Sequence, residues 1–251
     1  MMNSAGGSSM GVSSARAAEP PCQTPQRRRA ALELLVVGAL TSGFLALFPR
    51  RPIVVDLSLA ILAAGLVLLN ASSIKAQFWG PRPVAIGGAG RQHGVVVTLA
   101  LTILVILGLL FVGAVIGYRG ADWPGVRARL LHPYIPTAIL LYLPWAWLQQ
   151  TLFQFYLLGR LRMLCPSLHP LAQSALNGLI FGLVHATDIE IMLSAALGGT
   201  LWSWLYLRDR RLWPLALSHA LVGTTFYYWV YGYDLASRWS AFLRGLWSAP
   251  V

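Results

Sequence analysis

Long apolar runs alternate along this chain with short, Arg-containing polar breaks, and the runs have the length of membrane-crossing helices. Seven such runs are predicted as spans: 30–48, 53–69, 95–118, 136–158, 171–186, 189–207 and 212–231. At about 1.5 Å of rise per residue, the first reaches roughly 28 Å, just enough to cross the hydrocarbon layer. Its competing reading is a signal peptide, but the leader is long and no small-x-small cleavage site follows, so an uncleaved span is preferred. The break at 119–134 mixes Arg127, Arg129 and His132 with Trp123 and leucines, which predicts a short helix lying on the membrane surface. A second interfacial helix is predicted beyond Gly232, where Trp239, Phe242, Leu243, Leu246 and Trp247 form an apolar stripe flanked by Arg238 and Arg244. Residues 1–26 are rich in Ser, Gly, Ala, Pro and Gln and cannot bury enough surface to fold, which predicts a disordered tail.

The expected fold is therefore all-α, a polytopic membrane bundle of about seven transmembrane helices plus interfacial helices. Its expected divisions are a basic tail (1–29), an N-terminal set of spans with the interfacial segment (30–135), a helical core (136–232) and a C-terminal interfacial helix (233–251).

Composition agrees with the pattern. The chain is 57% hydrophobic and 11% charged, far from the soluble mixture in which about a quarter of residues carry charge. A net charge of +11 could suggest nucleic acid, but 18 of the 19 basic residues are Arg, and most lie between the apolar runs as topology anchors. A cytoplasmic N-terminus puts 12 basic residues inside and 7 outside, which favours that orientation in the plasma membrane. With only Cys22 and Cys165, neither a disulfide framework nor a Cys-based metal site is expected, and no cofactor is predicted.

Polar groups inside the runs then stand out, because lipid offers them no hydrogen-bond partner. The run 95–118 has only Thr98 and Thr102 and reads as structural, while Asp56 lies near enough to a span end to reach the interface. By contrast, Gln149 and Gln150 sit in the middle of the run 136–158, with Gln154 one α-helical turn further on. His185 and His219 occupy two later runs, and Asn177, Phe181 and His185 are spaced by four residues twice, so they share one helix face. The spans carrying Gln149, His185 and His219 are expected to meet at one polar cavity.

These residues resemble the CPBP intramembrane endopeptidases, the family that includes type II CAAX prenyl proteases. The family's Glu-Glu-x-x-x-Arg motif is matched by Gln149-Gln150-Thr151-Leu152-Phe153-Gln154, and its Phe-x-x-x-His motif is present as Phe181-Gly-Leu-Val-His185. Its His-x-x-x-Asn motif is matched by His219-Ala-Leu-Val-Gly223, and the resemblance extends over about 136–230. It implies that Gln149 stands where the base belongs, with His185 beside it and His219 and Gly223 at the oxyanion site. By that resemblance Gln149, Gln150, Gln154, Phe181, His185 and His219 are catalytic candidates, and Trp145, Phe153, Asn177 and Gly223 are substrate-binding candidates.

The departures matter chemically. A carboxylate can take a proton from water, whereas a neutral amide only orients it. General-base help is worth roughly 10²- to 10⁴-fold, and a lost oxyanion donor costs about another 10²- to 10³-fold. An all-neutral Gln cluster is also cheaper in a membrane than an unpaired cation at 154, so the replacements are mutually consistent. Three readings stay open. One is a pseudoprotease that binds a membrane-embedded or lipidated peptide. Another is a protease whose acid has moved to Asp188 or Glu190, for which a helix-end cap is the bland alternative. The third is an enzyme acting on a lipid or isoprenoid, suggested by Trp145, Trp147, Phe153, Phe155, Tyr156, Phe181, Trp202, Trp204 and Tyr206. A bis-His haem or metal site at His185 and His219 has no Cys or carboxylate pair to support it.

Overall fold

The computed structural model describes residues 27–36, 38–39, 65, 89–186 and 188–237. The expected tail (1–26), nearly all of the run 53–69 with Asp56, most of the break 70–94 and the stripe beyond 237 lie outside the described residues. Among those described, all regular structure is helical.

Helix α1, Ala89–Leu130, contains the one segment among the described residues that is long and apolar enough to cross a membrane, Gly94–Arg119. Its outer face carries Ile103, Leu104, Leu107 and Phe111, all more than half exposed. In water such a face would be costly; against acyl chains it needs no partner. Thr98 and Thr102 turn the other way and are buried.

Most of the break 119–134, where a surface helix is expected, is helical and continuous with α1. The chain stays helical to Leu130, yet it cannot run straight. A methyl on Gly117 would lie 3.0 Å from Val126 Cα, whereas nine residues of straight helix would separate the two by about 13 Å. The helix therefore doubles back between them, where Pro124 removes a backbone donor and relieves the i→i−4 ladder. Arg129 is carried onto the bundle, and its Nη1 donates to the carbonyls of Trp229 (3.1 Å) and Val230 (2.9 Å).

Helix α2, Ile135–Gln150, opens on Pro136, whose missing N–H costs nothing in a first turn. It runs through a π-helical stretch, Thr151–Leu157, into α3, Leu158–Leu164. A helix this long spans about 45 Å. Near its end, Glu33 of the helical segment 27–36 accepts hydrogen bonds from Tyr156 Oη at 3.0 Å and Arg160 Nε at 2.5 Å.

Helices α4, Pro170–Leu183, and α5, Ile189–Asp209, form the closest pair. Gly178 and Gly182 lie one turn apart on the contact face. A methyl on Gly178 would run into Thr200 Oγ1, and one on Gly182 would meet the Met192 carbonyl at 2.7 Å. Lipid tails supply no hydrophobic drive for helices to associate, so such backbone approach is what joins them. Helix α6, Trp213–Thr225, continues as a π-helical stretch, Phe226–Tyr231, and packs against α2 and α1. One buried cluster, including Leu158, Phe181, Trp202 and Leu215, lies among α3, α4, α5 and α6. A second joins Ala138, Tyr142 and Ala146 of α2 to Ala220 and Tyr228.

Candidate functional site

His219 is the centre of the buried polar contacts. It is 4% exposed, and both ring nitrogens are engaged: Gln150 Nε2 lies 3.3 Å from Nδ1, and Tyr142 Oη lies 3.3 Å from Nε2. Trp202 is tilted over the imidazole at 4.3 Å between centroids, and the rings of Tyr142 and Phe181 approach edge-on at 5.6 Å each. The preceding residue anchors α6. Ser218 Oγ accepts from Trp202 Nε1 at 3.0 Å and lies 2.7 Å from Thr102 Oγ1, which is 2.7 Å from the Thr98 carbonyl. Thr102 of the apolar run thus ties α1 to Ser218 of α6 and, through it, to Trp202 of α5, while the Thr98 hydroxyl stays within α1 on the Gly94 carbonyl.

His185 sits just past the end of α4. Its Nδ1 is 3.0 Å from the Phe181 carbonyl, and since a carbonyl only accepts, Nδ1 carries the proton and Nε2 keeps its lone pair. Phe181 stands between the two histidines, 5.4 Å from one ring and 5.6 Å from the other. Both histidines, Phe181, Tyr142 and Gly223 line a cavity of about 320 Å³ between α1, α2, α4, α5 and α6. Its other walls are predominantly apolar, among them Leu101, Val105, Leu201, Leu205, Val222 and Phe226.

The expected single polar cavity is therefore divided. His185 and His219 share a wall, whereas Gln149, Gln150 and Gln154 do not line it. Gln150 supports His219 from behind. Gln149 is buried with its Oε1 unpartnered among the described residues. Gln154 belongs elsewhere: its Oε1 accepts from Asn177 Nδ2 at 3.2 Å, and the same Nδ2 lies 2.8 Å from Ser203 Oγ, which donates to the Gly199 carbonyl. Gln154 lies in the π-helical stretch that follows Gln150, and its partner Asn177 is on α4.

Of the other candidates, Phe153 meets the Phe181 ring edge-on at 4.7 Å but lies behind it, outside the cavity wall. Trp145 is 40% exposed and also lies off the cavity. Gly223 lines it, and its missing side chain has a reason: a methyl there would sit 2.8 Å from Tyr142 Cε1. Tyr142, Trp202 and Ser218 were not predicted as site residues. A signal for Tyr142 existed, since Tyr142, Ala146, Gln149 and Gln150 follow the i, i+4, i+7, i+8 spacing of one buried face.

Asp188 caps α5. Its Oδ1 accepts from the backbone N–H of Glu190 (3.0 Å) and Ile191 (3.1 Å), and its Oδ2 accepts from Tyr231 Oη. The Tyr231 hydroxyl first, and those backbone donors after it, hold this carboxyl below its ordinary range. The Asp188 backbone N–H donates to the His185 carbonyl at 3.1 Å, but among the described residues neither the Asp188 nor the Glu190 carboxylate bonds or ion-pairs with the His185 imidazole.

The described helices thus form a core with a lipid-compatible face on α1 and with buried His219 and half-buried His185 beside an apolar cavity. Residues 130–225 match the family described as type II CAAX prenyl endopeptidase Rce1-like, so this core is CAAX-protease-like, as the motif order had suggested. No curated protein and no solved structure matches the chain.

Proposed function

We propose that this chain is a multi-pass membrane protein that holds the apolar chain of a membrane-embedded or lipidated peptide in the cavity beside His185 and His219, without the family's carboxylate-driven cleavage. The observation that carries this reading is the use to which Gln150 is put. It stands where the family motif has the second Glu, and its amide is committed to His219. Among the described residues, no Asp or Glu lines the cavity. An amide cannot accept water's proton, so the roughly 10²- to 10⁴-fold supplied by a general base is missing. A relocated acid at Asp188 is disfavoured because that carboxylate is occupied by the α5 cap and Tyr231. The apolar walls suit a hydrocarbon chain, and the family match favours a prenylated one. Seven spans with a cytoplasmic N-terminus in the plasma membrane remain the arrangement favoured by the apolar runs and the distribution of Arg.

The test uses the full chain reconstituted in liposomes with a photoreactive prenylated peptide. Saturable labelling, competed by excess unlabelled peptide and unaccompanied by product, is expected. Cleavage that disappears in His185→Ala would overturn the proposal in favour of an active protease.

A further inference from the structure

We infer that Tyr142 presents its hydroxyl hydrogen to the cavity as a donor for a carbonyl oxygen on the bound chain, with Gln150 and His219 as the positioning residues that set this direction. The inference rests on the reading that the cavity binds an apolar chain, and adds what the polar end of that chain must be.

The argument is one of hydrogen counting. The Gln150 amide nitrogen can only donate, and it faces His219 Nδ1 at 3.3 Å. Nδ1 must then hold a lone pair, which puts the proton of the neutral imidazole on Nε2. Nε2–H faces Tyr142 Oη at 3.3 Å, so the tyrosine oxygen accepts. Its own hydrogen is left over, since His219 is the one hydrogen-bond partner of that hydroxyl among the described residues. A hydroxyl that already accepts is a better donor, because each bond in such a chain polarises the next.

Position completes the case. Tyr142 is buried, lies on the cavity wall and is the residue whose ring needs Gly223 to be bare. The hydroxyl thus sits beside the position matched to the family's oxyanion Asn, delivered from α2 instead of α6. Trp202, tilted over the imidazole, and Phe181, set edge-on to it, keep His219 from turning its nitrogens round. The chain Gln150→His219→Tyr142 therefore ends in a free O–H in an otherwise apolar space. Its complement is an acceptor with no hydrogen of its own, an ester, thioester or amide carbonyl.

Two changes separate this from a packing role. Tyr142→Phe keeps the ring over Gly223 and removes the hydrogen. Gln150→Glu offers Nδ1 an acceptor in place of a donor. The imidazole proton then moves to Nδ1, Tyr142 must donate to Nε2, and nothing is left for the cavity although the tyrosine is intact.

The experiment uses the full chain in nanodiscs, with S-farnesylcysteine methyl ester ¹³C-labelled at its carbonyl and, separately, S-farnesylcysteamine, which as its ammonium form has neither carbonyl nor hydroxyl to accept a hydrogen bond. Infrared difference spectra read the labelled band, and a parallel arm labels the ester carbonyl of the nanodisc phospholipid. In the wild type the bound probe's band is expected to fall in frequency. Both variants should lose that shift and bind the ester roughly three- to tenfold more weakly, with binding of S-farnesylcysteamine unchanged. A shifted phospholipid band, lost in both variants, would support the donor while making membrane lipid its ligand and removing the peptide reading. Saturable ester binding with an unshifted band, or a shift that survives Tyr142→Phe, would overturn the donor and leave cavity binding standing. Failure of every probe and lipid to bind at the cavity would overturn both.

Discussion

The ring of Tyr142 and a side chain at position 223 compete for one volume, since a methyl on Gly223 would come within 2.8 Å of Tyr142 Cε1. Restoring the family's Asn there is therefore not a local repair. Gly223→Asn alone should destabilise the protein by about 1–3 kcal/mol by displacing the ring and its bond to His219. Combined with Tyr142→Ala the two costs should not add, and a coupling of at least about 0.5 kcal/mol is expected. Thermal unfolding of the four proteins in detergent closes this cycle; additive costs would mean that the ring does not occupy that space.

The amide pair Gln154 and Asn177 holds the π-helical stretch to α4 and α5. Asn177→Leu removes the donor to Gln154 Oε1 and to Ser203 Oγ while keeping the volume. Hydrogen bonds between helices in membranes average about 0.6 kcal/mol, and stranding the Gln154 acceptor adds to the loss, so about 1–2 kcal/mol is expected. Urea- or SDS-titrated unfolding would measure it. Because the cluster lies off the cavity, probe affinity should stay within about twofold of wild type once the protein is folded.

Gly178→Ala should be among the most damaging single methyl additions. The methyl would meet not only Thr200 Oγ1 but also the Thr200 nitrogen at 2.5 Å and the Ala196 carbonyl at 2.6 Å, which are backbone and cannot swing aside. Separating α4 from α5 should cost about 3 kcal/mol or slightly more. Gly159→Ala, where nothing lies within 4 Å of the added methyl, is the control and should be neutral or stabilising. Equal melting temperatures for the two variants would contradict this packing.

Asp188 gives the expected pH dependence. Its folded-state value is lowered by Tyr231 and the α5 backbone donors, so its contribution is present above the unfolded value, near 3.8, and is lost as pH falls through the lower folded value. Asp188→Asn keeps a capping side chain but cannot ionise. The wild type should therefore be more stable than the variant at pH 6, and the difference should shrink steadily as pH falls below about 4. A difference independent of pH between 6 and 3 would show that the charge contributes nothing.

Much of this was legible because apolar runs and their helical periodicity are physical demands that local sequence must meet. The runs at 95–118, 136–158, 171–186, 189–207 and 212–231 all fall on helices, and the spacing of Phe181 and His185 placed both beside one cavity. Two features were hidden for the same reason, namely that local pattern does not record a change of helical geometry. The turns widen at Thr151–Leu157, where Gln154 lies, and the reversal after Gly117 looks from sequence like an ordinary Pro-containing break. Asn177 shows a further limit. Spacing gave it the same side as Phe181, but whether it faces the cavity or Gln154 depends on neighbours in other helices.

Among the described residues, the cavity is walled without a single Asp, Glu, Lys or Arg. A membrane voltage does about 2.3 kcal/mol of work per elementary charge per 100 mV, but only on charge that it can move. Occupation of this space by a neutral chain moves none. The affinity of the cavity is thereby insulated from the electrical state of the membrane, and a cell could depolarise or hyperpolarise without emptying or filling it.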